Sequence, residues 1–249
     1  NLQVTAWDID LAGSAVVGSG ALSVHGARGT QTIGLGSVKD LSVSGTELGR
    51  ISAASLTVGT THSGSITVNG ITAAQSAACD PIKLIATKAG ANIHFTTIGS
   101  TFKTLQAWAD SGINAAASLT TYQGTLLLHA ATSWKSNVGT LTVGAGKSIV
   151  TGHHDLMVTA WDLDLPGSVV VGTSAMSLHA AYAAQTIGFG VSKQMQLSGS
   201  ELQRITASNL TVGSSHSGSM SVVGITAAQS DNINMLALNA NHDDSTMTF

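Results

Sequence analysis

Short runs in which every second residue is apolar recur along the whole chain. Leu56-Thr57-Val58, Gly64–Val68 (GSITV), Lys83–Thr87 (KLIAT) and Thr125–His129 (TLLLH) are examples, each bounded by Gly, Ser, Asn or Thr. Alternation over so few residues predicts half-buried strands, and the small polar residues between them predict turns. The tetrapeptide LTVG occurs at Leu56–Gly59, Leu141–Gly144 and Leu210–Gly213. Long helix-period segments are missing. Residues 102–118, FKTLQAWADSGINAAAS, hold the best helical candidate, of one or two turns at most. The pattern predicts an all-β fold.

The pattern also repeats at long range. Ser44–Ser76 reads SGTELGRISAASLTVGTTHSGSITVNGITAAQS, and Ser198–Ser230 reads SGSELQRITASNLTVGSSHSGSMSVVGITAAQS. VTAWDIDLAGSAVVG (Val4–Gly18) returns from Val158 to Gly172, TQTIGLG (Thr30–Gly36) returns as AQTIGFG (Ala184–Gly190), and Ile82–Phe95 keeps its apolar positions in Leu236–Phe249. Every pair lies 154 positions apart, without a gap. Loops of ordinary duplicated domains drift in length. Turns held to a fixed length suggest an array in which each turn is set by its neighbours.

Many short strands suit a sandwich, a barrel, a propeller or a β-helix. A 154-residue period is too long for one propeller blade of about 40–50 residues. Hairpin signals are nearly absent, Asn69-Gly70 being the exception, with Val223-Gly224 as its copy. These features predict a parallel β-helix (β-solenoid), with roughly seven rungs in each 154-residue unit and about eleven rungs in all. At about 4.8 Å between strands it would be a rod about 50 Å long. The chain is expected to be one continuous segment, 1–249, with repeat 4–95 matching 158–249 and rungs 96–157 between them. It opens on Asn1 and stops within a repeat, so it is expected to be part of a longer array.

Composition narrows the function more than the fold. Only 9% of residues are charged and the net charge is -3, which leaves no basic footprint for nucleic acid or acidic lipid. No apolar run approaches the roughly 18 residues of a membrane span. The single cysteine, Cys79, has Ile233 as its copy and reads as a small buried hydrophobe.

Several repeated polar residues could carry chemistry. Glu47 and Arg50, with Glu201 and Arg204, resemble the carboxylates and bases of polysaccharide-cleaving β-helices. Ser44-x-x-Glu47 and Ser198-x-x-Glu201 also match a capping box, so Ser44, Glu47, Arg50, Ser198, Glu201 and Arg204 are expected to build corners, each Glu pairing with its Arg. Asp8 and Asp10, with Asp162 and Asp164, are weak metal candidates: two carboxylates do not fill a Ca²⁺ shell, whereas Asp side chains commonly satisfy turn amides. Trp7 and Trp161 suit either a sugar platform or the seam of a corner. His25/His179, His62/His216 and His153-His154 match no zinc spacing. Asn209-Leu210-Thr211 is a possible glycosylation site, though its copy is Ser55. Neither a catalytic residue nor a cofactor is expected.

The LTVG rungs, QTIGLG, SGTELGRISAASLTVG and SGSITVNGIT resemble the repeat regions of filamentous-haemagglutinin-like giant β-strand-repeat surface proteins, of bacterial and stramenopile-algal type. The resemblance implies a right-handed parallel β-helix used as an extracellular fibre, adhesin or coat. The expected function is therefore a structural segment forming a rod, filament, hair or coat at the cell surface, with further copies or chain continuation end to end as its partners. An adhesin with a carbohydrate- or protein-binding flank is the alternative, and a polysaccharide lyase or hydrolase a third reading.

Overall fold

A computed structural model describes residues 1–133 and 137–249. All strand pairings among them are parallel, and the chain winds through three ladders in turn. One plain turn shows the scheme: Leu105–Ala109 on the first face, Ile113–Ala115 on the second, Leu119–Thr121 on the third, then Leu126–His129 back on the first. The first-face ladder runs Leu2–Ala6, Ala15–Gly26, Ile51–Thr60, Ile82–Ala86, Leu105–Ala109, Leu126–His129, Leu156–Ala160, Ser168–Ala180, Ile205–Ser214 and Ile233–Ala240. The fold is thus all-β with large parallel sheets, as a parallel β-helix requires.

Alternation does the packing. In Leu56-Thr57-Val58, Leu105-Gln106-Ala107 and Leu126-Leu127-Leu128 the outer two residues are buried and the middle one is not. Register stacks them into columns: Leu22, Leu56, Ile82 and Leu105 continue to Leu126 and Leu156 through the same ladder, while Ile33, Ile66, Ile93, Ile113 and Leu141 form a column on the second face. On the second face Phe95 lies in register with Ala115, a large residue beside a small one. Each buried Leu, Ile, Val or Phe contributes about 1.5–3 kcal/mol through burial.

The 102–118 segment is not helical. Leu105, Ala107 and Ala109 face inward from a strand, so period-two stacking between neighbouring rungs overrides the helical preference of Leu, Gln and Ala. Among the described residues helix occurs instead as four single turns: Gly45–Leu48, Ala73–Ser76, Gly199–Leu202 and Ala227–Ser230. The first-face ladder holds the ten strands named above, against an expectation of about eleven rungs. Rungs are longer than the spacing suggests because some carry more than a plain turn.

One extra feature is an inserted strand. Ile33–Leu35 is followed after five residues by Leu41–Val43, which lies parallel beside it. Met195–Leu197 does the same beside Ile187–Phe189. Parallel neighbours ordinarily need a crossover of a dozen residues or more. Here the chain doubles back across Gly34, where a Cβ would stand 1.8 Å from the Ser37 carbonyl oxygen, and across Gly188, where it would stand 2.0 Å from that of Val191. Only glycine permits so tight a return. The second strand slots in on the N-terminal side, between its own rung and the preceding one, as the contact of Met195–Leu197 with Asp162–Asp164 shows. Backbone pairing stops at that junction: the second-face sheet ends at Asp162–Asp164 and a separate four-stranded sheet begins at Met195–Leu197.

Candidate functional site

The repeated polar residues cluster around the inserted strand. Ser44 caps the turn Gly45–Leu48, with the Glu47 N–H donating to its hydroxyl at 3.2 Å and the Ser44 N–H donating to Glu47 Oε2 at 2.8 Å. Both halves of the capping box are therefore made. Leu48 and Ile51 point inward. The expected Glu47–Arg50 side-chain pair is not what forms; the one ion pair among the described residues is Lys103–Asp80, at 3.0 Å. Glu47 and Arg50 instead grip the same residue of the preceding rung. The Leu11 N–H donates to Glu47 Oε1 at 2.9 Å, and Arg50 Nη1 donates to the Leu11 carbonyl at 2.6 Å. The second copy repeats this: the Leu165 N–H donates to Glu201 Oε1 at 3.3 Å, and Arg204 Nη1 donates to the Leu165 carbonyl at 2.7 Å. Burial by itself would raise the Glu47 pKa, but the Leu11 and Ser44 N–H groups, the Ser44 hydroxyl and the Arg50 charge together hold it below its usual value.

The aspartates serve the broken ladder. Where Leu41–Val43 meets the preceding rung, the Ser42 N–H donates to Asp8 Oδ1 at 2.8 Å, and in the second copy the Gln196 N–H donates to Asp162 Oδ1 at the same distance. A carboxylate replaces the carbonyl that an in-step neighbour would offer. Burial pushes the Asp162 pKa up; the Gln196 and Leu163 amides pull against this, and the Glu201 and Asp164 charges add to it. Asp10 and Asp164 are exposed. Among the described residues no three of His, Cys, Asp and Glu are placed to share a metal ion.

A second pair of polar residues gave no signal beyond its repetition. Gln31 and Gln185 are buried. Gln185 Nε2 donates to the Trp161 carbonyl at 2.5 Å while its Oε1 accepts the Ala181 N–H at 2.7 Å; Gln31 likewise donates to the Trp7 carbonyl, but its Oε1 accepts the N–H of Arg28, one residue beyond the Ala181 counterpart Ala27. Each amide satisfies backbone groups of two rungs, as burial demands. Thr72-x-x-Gln75 forms a further capping box, readable in retrospect from its T-x-x-Q spacing.

Other candidates are dispersed. Trp7 is 54% exposed under the Arg28 guanidinium, 5.0 Å from the ring centroid, whereas Trp161 is 8% exposed and stacked on Tyr182 at 5.3 Å. Cys79 is buried with its thiol pKa raised by burial. His153 hydrogen-bonds Thr173 across rungs. Asn209 lies mid-strand, in register with Ala175 and Met235. Among the described residues, no carboxylate lines any of the most pronounced surface grooves. Two are copies of one another: Thr5, His25 and His62 line the first, and Thr159, His179 and His216 the second.

No family model, curated protein or solved structure matches the chain.

Proposed function

We propose that the chain is a structural segment of a long extracellular or cell-surface repeat protein, wound as a right-handed solenoid whose work is to form a stiff rod, filament or coat. The handedness follows the strong preference of parallel crossovers. The observation that carries the reading is the double grip of Glu47 and Arg50 on Leu11, duplicated by Glu201 and Arg204 on Leu165. Charged residues that would be the first choice for catalysis bond the backbone of the preceding rung. Kinship with filamentous-haemagglutinin-like repeat proteins belongs to the same proposal. So does end-to-end partnership, with further copies of the chain or its own continuation.

Two measurements test the reading. Sedimentation and electron microscopy of the full chain are expected to give an elongated particle. Assays of reducing-end and unsaturated-uronate release from neutral and acidic polysaccharides are expected to give no turnover. A compact particle, or turnover abolished by Glu47→Gln or Glu201→Gln without loss of folding, would refute it.

A further inference from the structure

The two equivalent histidine grooves are not equally satisfied. In the N-terminal copy, His25 Nε2 lies 2.6 Å from Gln3 Nε2 and 3.2 Å from Thr5 Oγ1. In the C-terminal copy the Gln3 position is Met157, and the row above and below Thr159 holds two imidazoles, His129 and His179, in register along the first face. His129 Nε2 is buried and has no hydrogen-bond partner among the described residues, so His129 contributes to the wall of the groove rather than offering that nitrogen to it.

The other walls differ too. At the corner the N-terminal copy has Arg28, and the C-terminal copy has Tyr182. The Tyr182 ring lies flat on Trp161, with 5° between the planes, and Trp161 is itself packed against Ala131 and Ala181. Tyr182 is therefore a braced aromatic platform at the edge of a groove of about 250 Å³, and His129, His179 and His216 line that groove with it. Among the described residues, none that lines it is an acid, a lysine or an arginine, and its histidines belong to no three-ligand metal cluster. Burial lowers the pKa of both His129 and His179, which keeps the rings neutral near pH 7. A neutral imidazole offers one donor and one acceptor, and vicinal hydroxyls do the same.

We propose that this groove binds a neutral pyranose unit of a glycan, with the sugar face on Tyr182 and its hydroxyls on His179 and His216, His129 forming part of the wall. The site stands independently of the rod reading, since a rod without the groove and a groove on another scaffold are both conceivable. Three probes, the hexaoses of β-1,4-glucose, β-1,4-N-acetylglucosamine and α-mannose, would be titrated into the full chain by NMR and tryptophan fluorescence. At least one is expected to bind with a Kd of about 1 mM or tighter. Tyr182→Ala and His179→Ala are each expected to weaken it roughly tenfold or more, Tyr182→Phe to retain it, and His25→Ala to leave it unchanged. Circular dichroism melts identify variants that misfold; should Tyr182→Ala do so, His179→Ala and Tyr182→Phe decide the matter. Absence of binding by all three hexaoses, binding that survives both His179→Ala and Tyr182→Ala, or binding lost in His25→Ala would overturn the proposal.

Discussion

The stretches 4–95 and 158–249 are two versions of one text, yet they are buried differently. Ile93 and Phe95 are sealed in the core, while their counterparts Met247 and Phe249 are 42% and 85% exposed. At the other end the order reverses: Trp7 and Leu2 are exposed, and Trp161 and Leu156 are covered. The covered member in each pair has a rung on both sides, and the exposed one lacks a rung on one side. Burial here belongs to a rung's neighbours rather than to its own sequence, which is the thermodynamics of a one-dimensional stack.

Breaking that comparison gives graded predictions. The largest effect is expected at the backward step. Gly34→Ala drives a Cβ into the Ser37 carbonyl and is expected to cost more than about 4 kcal/mol. Gly144→Ala meets only ordinary contacts, the nearest at 3.5 Å, and is expected to cost under about 1 kcal/mol; denaturant melts compare the two. Next, Phe95→Ala is expected to cost about 3–5 kcal/mol and Phe249→Ala under about 1 kcal/mol, a gap that should close if a further rung is fused behind Phe249. Third, Glu47→Ala removes the acceptor for two backbone amides and is expected to cost about 1.5–3 kcal/mol, with Glu201→Ala matching it within error in the same melts.

The smallest effect is that of pH. Burial depresses the pKa of His129 and His179, so the unfolded chain takes up their protons first. Stability is expected to be level above the ordinary histidine pKa of about 6.5 and to fall as pH drops from there through the lower folded values. Thermal melts of wild type and His129→Gln between neutral pH and pH 5 check this, the variant showing the shallower fall.

Much of the fold was legible in the chain. Alternation placed strands such as Ile66–Val68 and Leu126–His129, and a gap-free period implied stacking. Ser44-x-x-Glu47 announced its corner. Legibility failed where tertiary neighbours decide. Three LTVG copies look alike, yet two lie on the first face, with Gly59 and Gly213 at positive φ against a neighbouring carbonyl, while Leu141–Val143 lies on the second face and Gly144 is unconstrained. LQAWA reads as helix until its neighbours demand alternation. The Leu11 grip spans 36 to 39 positions, and no local spacing rule reports a partner at that distance. The Tyr182 groove needs His129 from one turn and His216 from another, so only the wound chain assembles it.

The inserted strands have a mechanical consequence. Between Asp8 and Asp162 the second face accommodates Leu41–Val43 in addition to the strand that each turn supplies, while the first face receives no such addition. At about 4.8 Å per strand, one side of the repeat is built longer than the other. Unequal sides bend an axis, with the longer one outermost. A fibre assembled from many such units would therefore curl, and the pitch of its coil would be written in the five residues between Leu35 and Leu41.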